Sequence, residues 1–418
     1  ELSHRVLNNP EGTVGGDCLT GDTRVIVVNQ NGSYDRIPIR SIKEGQNVLS
    51  YNLEVGKYES CAVTKWWYKG VRPVLNIKLQ NGCELRMTRD HKVFSADRNR
   101  RNQLLRGEWE SIGNYLRNPQ QRAGRKSYAG TEPRVLLAAK QLPAPGIFGV
   151  GRGERDDFFA LRWLEGIYLA EGYRHHDSSV DIANDDPAIR ERITNAVHQL
   201  GGRALESKRK IHASVNVNGD LSKYLRCLGE VSWQKHVLPE HLSLSRAGIV
   251  KLLEGYSAGD GHVYSGNRGG TYTTISRTLS HDLTFLHLLV GQPTRWHRLW
   301  SHGGVGRTSL YRVAWGSGSK TGSVWRRAHT LFPSHEIGSG HPQITGLRVE
   351  AVEAVGNHEV YDVEVEHNHN FVLADSGLIV HNCDDESVLL AALARSVGVP
   401  ATVIFYDTDM DGEIDHVL

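Results

Sequence analysis

Short runs of β-branched and aliphatic residues recur through the first third of the chain, and Asn-Gly pairs follow two of them. Arg24–Val28 is followed by Asn31-Gly32, and Val74–Leu79 is followed by Asn81-Gly82. Such runs favour strands, and Asn-Gly favours the tight turns of hairpins. The pattern predicts a domain made mostly of β-structure.

The last part of the chain returns to this pattern. Glu359–Glu366 alternates polar and apolar residues, and the apolar runs Phe371–Leu373 and Leu378–Val380 follow it. Alternation of this kind predicts strands with one buried face. We therefore expect this segment to complete the β domain that the first part of the chain begins.

The middle of the chain has a different character. Helical patterns begin at Asp156 and at Ser243, and strand-rich sequence containing arginine follows each of them. These patterns predict an α/β domain of roughly 190 residues inserted into the β domain. The expected segments are a flank at 1–17, the β domain at 18–150 with a basic expansion at 97–130, the insertion at 151–340, the rest of the β domain at 341–382, and a second flank at 383–418.

Composition narrows the class of protein. The chain has 418 residues, of which 39% are hydrophobic and 23% charged, with a formal net charge of +2. Its five cysteines form no Cys-x-x-Cys pair, and an odd number argues against a secreted disulfide framework, so we expect a reducing cytoplasm. No apolar run reaches the length of a membrane helix, so we expect no membrane partner.

Two short strings containing cysteine lie at the ends of the predicted β domain. Cys18 opens the string Cys-Leu-Thr-Gly-Asp-Thr, and His381-Asn382-Cys383 closes the segment. These strings resemble the two ends of an intein, a protein that splices itself out of its host. The resemblance implies that the Cys18 thiol takes the acyl group of Asp17 and passes it to Cys383. Asn382 would then cyclise on its own carbonyl, which His381 would polarise.

Two internal blocks strengthen the resemblance. Thr88-Arg-Asp-His91 resembles the intein TxxH block, and Val360–Phe371 resembles its late β block. By that resemblance Thr88 would bond the scissile amide and His91 would protonate its nitrogen, since the pKa of histidine lies near working pH. Asp362 would tune the thiols, and His369 would assist cyclisation. The implied fold is the mostly β Hint horseshoe, and splicing needs no cofactor.

Two alternatives to splicing remain. Taken singly, each of these residues is more often structural than catalytic, because buried polar groups are usually satisfied within the fold. Hedgehog-type autoprocessing uses the same β fold but lets an outside alcohol resolve the thioester. That route needs neither Asn382 nor Cys383, so the downstream junction favours splicing.

The insertion carries one nine-residue pattern twice, at Leu164–Gly172 and Leu253–Gly261. Both copies resemble the LAGLIDADG motif of homing endonucleases. Small residues at helical spacing in each copy let two helices cross closely. The resemblance implies that Glu171 and Asp260 hold Mg²⁺ and activate water against double-stranded DNA. Two copies in one chain imply a monomer, an internal pseudo-twofold repeat and an asymmetric target.

Charge in the insertion supports a DNA partner. No acidic residue lies between Asp282 and Glu336, whereas basic and aromatic residues alternate there. Such a stretch suits β-ribbons that lie in a major groove. The candidate DNA contacts are Arg295, Arg298, Arg307, Arg312, Lys320, Arg326 and Arg327, with Lys208, Arg209 and Lys210 in the first repeat. A decayed nuclease that only binds DNA, or serves only a structural role, is the alternative.

The flanks indicate the host. Joining Asp17 to Cys383 places a cysteine after a Gly-Gly turn and before an Ala/Leu-rich run. This resembles the core of transglutaminase-like cysteine peptidases, where a helix N-terminus lowers the pKa of the thiol. Cys383 would be the host nucleophile and His416 its histidine. We interpret Asp407–Gly412 as a hairpin turn.

Overall fold

The computed structural model describes residues 18–98, 104–117, 132–143, 156–176, 178–208, 213–264, 269–301, 308–316, 344–382, 405–406 and 416–417. We call the described residues of 18–143 and 344–382 the β domain, and those of 156–316 the inserted domain. The predicted boundaries near residues 150 and 340 lie outside the described ranges.

The β domain opens with nine strands, a 3-10 turn and one helix. In order they are β1 (Leu19–Thr20), β2 (Arg24–Val28), β3 (Tyr34–Pro38), the turn Ile39–Ser41, β4 (Asn47–Asn52), β5 (Lys57–Leu79), β6 (Glu84–Met87), β7 (Lys92–Arg98), β8 (Leu104–Ser111), α1 (Ile112–Arg117) and β9 (Glu132–Ala139).

The inserted domain repeats one unit of helix and strands. Its elements are α2 (Asp156–Glu171), β10 (Gly172–His176), β11 (Ser179–Ala183), α3 (Pro187–Gln199), β12 (Arg203–Lys208), β13 (Ala213–Asn218), α4 (Asp220–Arg226), the 3-10 turns Ser232–Gln234 and Pro239–Ser243, α5 (Arg246–Asp260), β14 (Gly261–Val263), β15 (Gly269–Thr274), α6 (Arg277–Leu289), β16 (Thr294–Ser301) and β17 (Thr308–Gly316).

Four strands complete the β domain, and two lie beyond it. They are β18 (Ile344–Leu347), β19 (Val349–Val365), β20 (Asn370–Val372), β21 (Ile379–His381), β22 (Phe405–Tyr406) and β23 (His416–Val417). β22 and β23 pair antiparallel, and the segment between them, which the sequence predicts to be a hairpin turn, lies outside the described residues.

Two antiparallel sheets build the β domain. The first has the order β19-β1-β6-β5-β4-β2-β3, and the second has the order β18-β9-β7-β21-β20 with β8 added to β7. Each sheet combines strands from the first third of the chain with strands from its last part. The mostly β fold and the return of the last segment to the first domain are therefore confirmed.

The inserted domain contains two four-stranded sheets, β10-β11-β13-β12 and β14-β15-β17-β16. The same order of elements occurs twice, as the duplicated motif predicted. The second motif helix begins at Arg246 with Ser245 as its cap, because the residues from Pro239 to Ser243 form a 3-10 turn instead of the predicted first helical turn.

The two motif helices, α2 and α5, cross with their backbones in contact. A Cβ added to Gly166 would lie 2.0 Å from the Leu252 carbonyl oxygen, and one added to Gly255 would lie 2.0 Å from that of Trp163. Only glycine leaves room for this approach. The small residues of the motif therefore bring the C-terminal ends of the two helices together.

The two domains share an interface and a core. One cluster of buried apolar side chains contains Tyr34 and Leu142 of the β domain together with Leu283 and Phe285 of the inserted domain. At Gly82, where φ is +84°, an added Cβ would strike the Trp296 carbonyl oxygen. The insertion is therefore packed into the β domain as well as joined to it in sequence.

A buried ion pair crosses this interface. Arg36 of β3 donates to the Asp282 carboxylate of α6, which also accepts from the Val237 amide at 2.9 Å. Asp282 is 1% exposed and Arg36 is 9% exposed. Because removal of one partner leaves a buried charge, we expect Arg36→Ala to lower the free energy of unfolding by about 3–5 kcal/mol.

Chemical denaturation measures this effect. The control is Lys223→Ala, which removes an exposed ion pair to Asp220 and should change stability by less than about 1 kcal/mol. Equal losses in the two variants would show that the interface pair contributes no more than a surface pair.

Candidate functional site

The upstream junction is held by hydrogen bonds between Cys18 and Thr88. The Cys18 amide donates to Thr88 Oγ1 at 3.1 Å, and the Thr88 amide donates to the Cys18 carbonyl at 3.0 Å. Cys18 has no exposed surface and Thr88 has 3%. The hydroxyl predicted to bond the scissile amide therefore lies against that amide nitrogen.

His91 lies in the turn that Thr88 begins. Its amide donates to the Thr88 carbonyl at 3.3 Å, and its own carbonyl accepts from Ile112 at 2.9 Å. The side chain is fully buried. The turn from Thr88 to His91 is thus held between Cys18 on one side and helix α1 on the other.

Asp362 lies across the sheet from Cys18. β1 pairs antiparallel with β19, with Leu19 opposite Tyr361 and Thr20 opposite Val360. One more residue in this register places Cys18 opposite Asp362, and directly opposite residues have neighbouring Cβ atoms on the same face. The Asp362 carboxylate is buried and accepts from the Val363 amide at 2.8 Å.

The downstream junction is held by the backbone of the late β block. The Asn382 amide donates to the His369 carbonyl at 3.1 Å. With the side-chain amide oriented to satisfy its neighbours, Asn382 Nδ2 also donates to that carbonyl and Oδ1 accepts from the Val365 amide at 3.1 Å. His369 adopts a φ of +50°, in the left-handed region that side chains other than glycine rarely occupy.

His381 contacts the carbonyl that cyclisation would attack. Its Nδ1 lies within hydrogen-bonding distance of the Asn382 carbonyl oxygen, so the tautomer protonated at Nδ1 donates to it. The imidazole packs edge-to-face with the Trp109 ring, with 4.7 Å between the ring centroids. A donor aimed at a carbonyl oxygen stabilises the negative charge that develops there during attack.

Strand β19 brings the two junctions together. Asp362 stands opposite Cys18, and Val365, three residues further along, bonds Asn382. Three residues of a strand span about 10 Å. Residues more than 360 positions apart in sequence therefore share one buried centre.

All seven described residues that the sequence proposed for splicing belong to this centre; the eighth, Cys383, lies outside the described residues. Sequence reasoning missed Val365, whose contribution is a backbone amide, and Trp109, which no motif contains. It also missed Asn370, whose buried side chain bonds Tyr51 and Ser50 and so anchors the loop carrying His369. Only its place in the His-Asn-Phe string could have indicated Asn370.

The predicted nuclease acids lie at the crossing of α2 and α5. The site of an added Cβ on Gly259 is 2.7 Å from Glu171 Cγ, so the two motif ends touch. Desolvation by the surrounding protein, and then the Glu171 charge, raise the pKa of Asp260 to about 7. Desolvation and Asp185 raise the pKa of Glu171.

The raised pKa values of Glu171 and Asp260 indicate that the two carboxyl groups could hold a cation. A carboxylate whose pKa is raised by burial and by a neighbouring carboxylate gains stability from a bound cation, and oxygen ligands suit Mg²⁺. The residues present therefore fit a divalent metal ion.

A cationic surface covers part of the β16–β17 pair. Arg295, His297 and Arg312 share one face, because His297 stands opposite Arg312 and two residues from Arg295. Desolvation and the charges of Arg295, Lys78 and Arg312 lower the pKa of His297. Lys78 belongs to the β domain, and no local sequence pattern indicates that it lies on this surface.

The other candidate DNA contacts have different positions. Arg298 is exposed and donates to Ser309 Oγ, whereas Arg295 also forms an ion pair with Glu350 of the β domain at 3.0 Å. Lys208 ends β12, and His416 begins β23. Arg209, Lys210, Arg307, Lys320, Arg326 and Arg327 lie outside the described residues.

No helix in the described ranges is long and apolar enough to cross a membrane.

Comparisons with known proteins place this geometry in a family. A replication factor C small subunit from Pyrococcus furiosus is 25% identical over 283 residues, covering 63% of this chain and 28% of that protein. The chain thus spans less than a third of that relative. The model of the intein splicing domain matches residues 26–382.

Solved structures give weaker likenesses. Variants of the homing endonuclease I-DmoI match at a TM-score of 0.31 and 12% identity, covering 43% of this chain and 99% of theirs. The Ssp DnaB mini-intein variant M86 matches at a TM-score of 0.28 and 9% identity, covering 88% of this chain and 94% of its own. These scores are too low to carry an inference. The family match spans most of the chain and every described residue of the buried centre except Cys18, and the chain therefore belongs to the intein splicing domain family.

Proposed function

We propose that this protein excises itself from its flanks by autocatalytic splicing. The observation that carries the proposal is the pair of contacts at the two junctions: Thr88 on the amide of Cys18, and His381 on the carbonyl of Asn382. Thr88 contacts the amide that the first cleavage would break, and His381 contacts the carbonyl that the second would attack.

The first step moves an acyl group from nitrogen to sulfur. The Cys18 thiolate attacks the Asp17 carbonyl, the C–N bond breaks, and a thioester forms while the nitrogen takes a proton. Thr88 Oγ1 accepts from the N–H and holds the amide in place. His91 supplies the proton to the departing nitrogen, which makes it a better leaving group.

The second step transfers the acyl group between the junctions. The Cys383 thiolate attacks the thioester, and the Cys18 thiolate leaves, so a branched chain forms. Asp362, which follows the β19 residue paired with Leu19, would receive or return the thiol protons. Asp362 and Val365, the β19 residues next to the two junctions, lie about 10 Å apart along the strand, so the junctions must approach each other before this transfer.

The third step releases the intervening segment. Asn382 Nδ2 attacks the Asn382 carbonyl and loses a proton, the bond to Cys383 breaks, and the departing Cys383 nitrogen takes a proton, so that a succinimide and a free amino group form. His381 Nδ1–H stabilises the oxyanion, while the Val365 amide and the His369 carbonyl hold the side-chain amide. An S-to-N shift then joins Asp17 to Cys383 by a peptide bond, without a cofactor.

Thiol-triggered cleavage tests the first step. In an Asn382→Ala background, dithiothreitol attacks the thioester and releases residues 1–17. We expect Thr88→Val to slow this release by about tenfold or more, because the amide loses its hydrogen-bond acceptor while the side-chain shape is kept. Cys18→Ala should release nothing; release at the parental rate from Thr88→Val would remove Thr88 from the mechanism.

We further propose that the inserted domain cuts double-stranded DNA at a site in the uninterrupted host gene. Glu171 and Asp260 would hold Mg²⁺, which supplies an activated water and charge for the leaving oxygen. The cationic groups Arg295, Arg312 and Lys78, which together lower the pKa of His297, support phosphate binding by the inserted domain. The remaining basic residues named from the sequence are proposed contacts as well.

Two narrower alternatives follow from the same residues. If Glu171 in place of aspartate impairs catalysis, the domain would bind DNA without cutting it. The alternative to splicing is hedgehog-type processing, in which an outside alcohol resolves the thioester. Formation of a ligated product would exclude it. We also propose a transglutaminase-like host with Cys383 and His416 as its nucleophile and histidine, and a monomer acting in the cytoplasm.

A further inference from the structure

The orientation of the His381 ring decides whether it can act. A rotation of half a turn about the Cβ–Cγ bond would replace Nδ1 by a carbon and remove the contact with the Asn382 carbonyl. His381 ends strand β21, where its backbone pairs with Asn370. Backbone pairing fixes the position of the His381 Cβ atom. The rotation of the ring about the Cβ–Cγ bond depends on the neighbouring side chains.

Trp109 is the aromatic neighbour of this ring. Its indole lies edge-to-face with the imidazole, at 4.7 Å between centroids and an interplanar angle of 74°. The Trp109 ring has a second aromatic neighbour: it packs edge-to-face with Phe94, at 5.0 Å between ring centroids and an interplanar angle of 83°. Edge-to-face geometry is the arrangement that aromatic rings prefer.

Strand register explains why the rings meet. Val380 stands opposite Val93, and Phe94 stands opposite Trp109. One more residue along β21 places His381 opposite Lys92, which shares a face of β7 with Phe94 because side chains alternate. His381, Phe94 and Trp109 therefore project from one face of three adjacent strands.

We propose that Trp109 is a positioning residue for asparagine cyclisation: its indole holds the His381 imidazole with Nδ1 towards the Asn382 carbonyl. This rests on the proposed splicing function. Trp109 lies on β8, outside every motif, and its ring contacts are with His381 and Phe94. Its effect therefore falls on the third step alone.

Step-resolved kinetics test this role. In a Cys18→Ala background only cleavage after Asn382 remains, and we expect Trp109→Ala to slow it by about tenfold. Trp109→Phe keeps a ring at the position and should restore the rate to within about threefold of the parent. In an Asn382→Ala background, Trp109→Ala should leave the thiol-triggered release of residues 1–17 unchanged.

Trp233→Ala serves as the matched control, because that indole is 66% exposed on the inserted domain. It should leave both cleavages at the parental rate. The role of Trp109 is overturned if Trp109→Ala cleaves after Asn382 at the parental rate, if it slows both cleavages equally, or if Trp109→Phe is as slow as Trp109→Ala. A Cys18→Ala parent that never cleaves after Asn382 contradicts the proposed splicing function, and the inference falls with it.

Discussion

Asn382→Ala is expected to abolish excision while leaving the first acyl transfer intact. Alanine has no nucleophilic amide, so the bond to Cys383 cannot be broken by cyclisation, and the ligated product should fall at least about 1000-fold. The thioester and branched forms should accumulate instead. Denaturing electrophoresis separates the branched chain from the linear one, and dithiothreitol should release residues 1–17 from it.

Asn357→Ala is the matched control for this substitution. Asn357 lies on β19, the strand that also contacts both junctions, but its side chain is exposed. It should splice at the parental rate. If Asn382→Ala still yields residues 1–17 joined to 383–418, asparagine cyclisation is not the releasing step.

Asp260→Asn is expected to abolish DNA cleavage and to stabilise the metal-free protein. Loss of one carboxylate removes a ligand for the divalent ion, so cutting should fall by at least about 1000-fold. Plasmids bearing the uninterrupted host gene, incubated with Mg²⁺, report the activity. Glu254→Gln is the control: Glu254 is on the same helix, half-exposed and paired with Lys251, and should leave cutting unchanged.

The stability effect has a defined pH dependence. The pKa of Asp260 is raised from 3.8 to about 7 in the folded protein, so the folded state binds this proton more tightly than the unfolded state. Stability from this group is therefore lost as pH rises from about 4 to about 7. The asparagine variant lacks this loss, so its Tm advantage should be larger at pH 8 than at pH 5. An equal Tm difference at both values would contradict the raised pKa.

Much of this arrangement could be predicted from sequence because its determinants are local. The alternation in Glu359–Glu366 and the Asn-Gly turns specify strands, and the repeated glycines in the two motifs specify a close helix crossing. Cys18, Thr88, His91 and Asn382 belong to short strings, so they could be found without knowledge of their surroundings.

The remaining determinants depend on contacts between distant segments. Trp109 reaches His381 only through the pairing of three strands, and Val365 acts through an amide that every residue possesses. Lys78 joins a cationic surface of the inserted domain because β5 ends at the interface, and Arg295 pairs with Glu350 there. No local pattern distinguishes an arginine that faces another domain from one that faces solvent.

The most direct test of the central claim is the intact mass of the wild-type products. The chain is expressed, purified and incubated with a reductant, and its species are weighed. Splicing predicts residues 1–17 joined to 383–418, and a separate fragment of residues 18–382 that is lighter than its free acid by one water because its C-terminus is a succinimide. A chain that remains one full-length polypeptide, or that yields separated flanks without a ligated species, would contradict splicing.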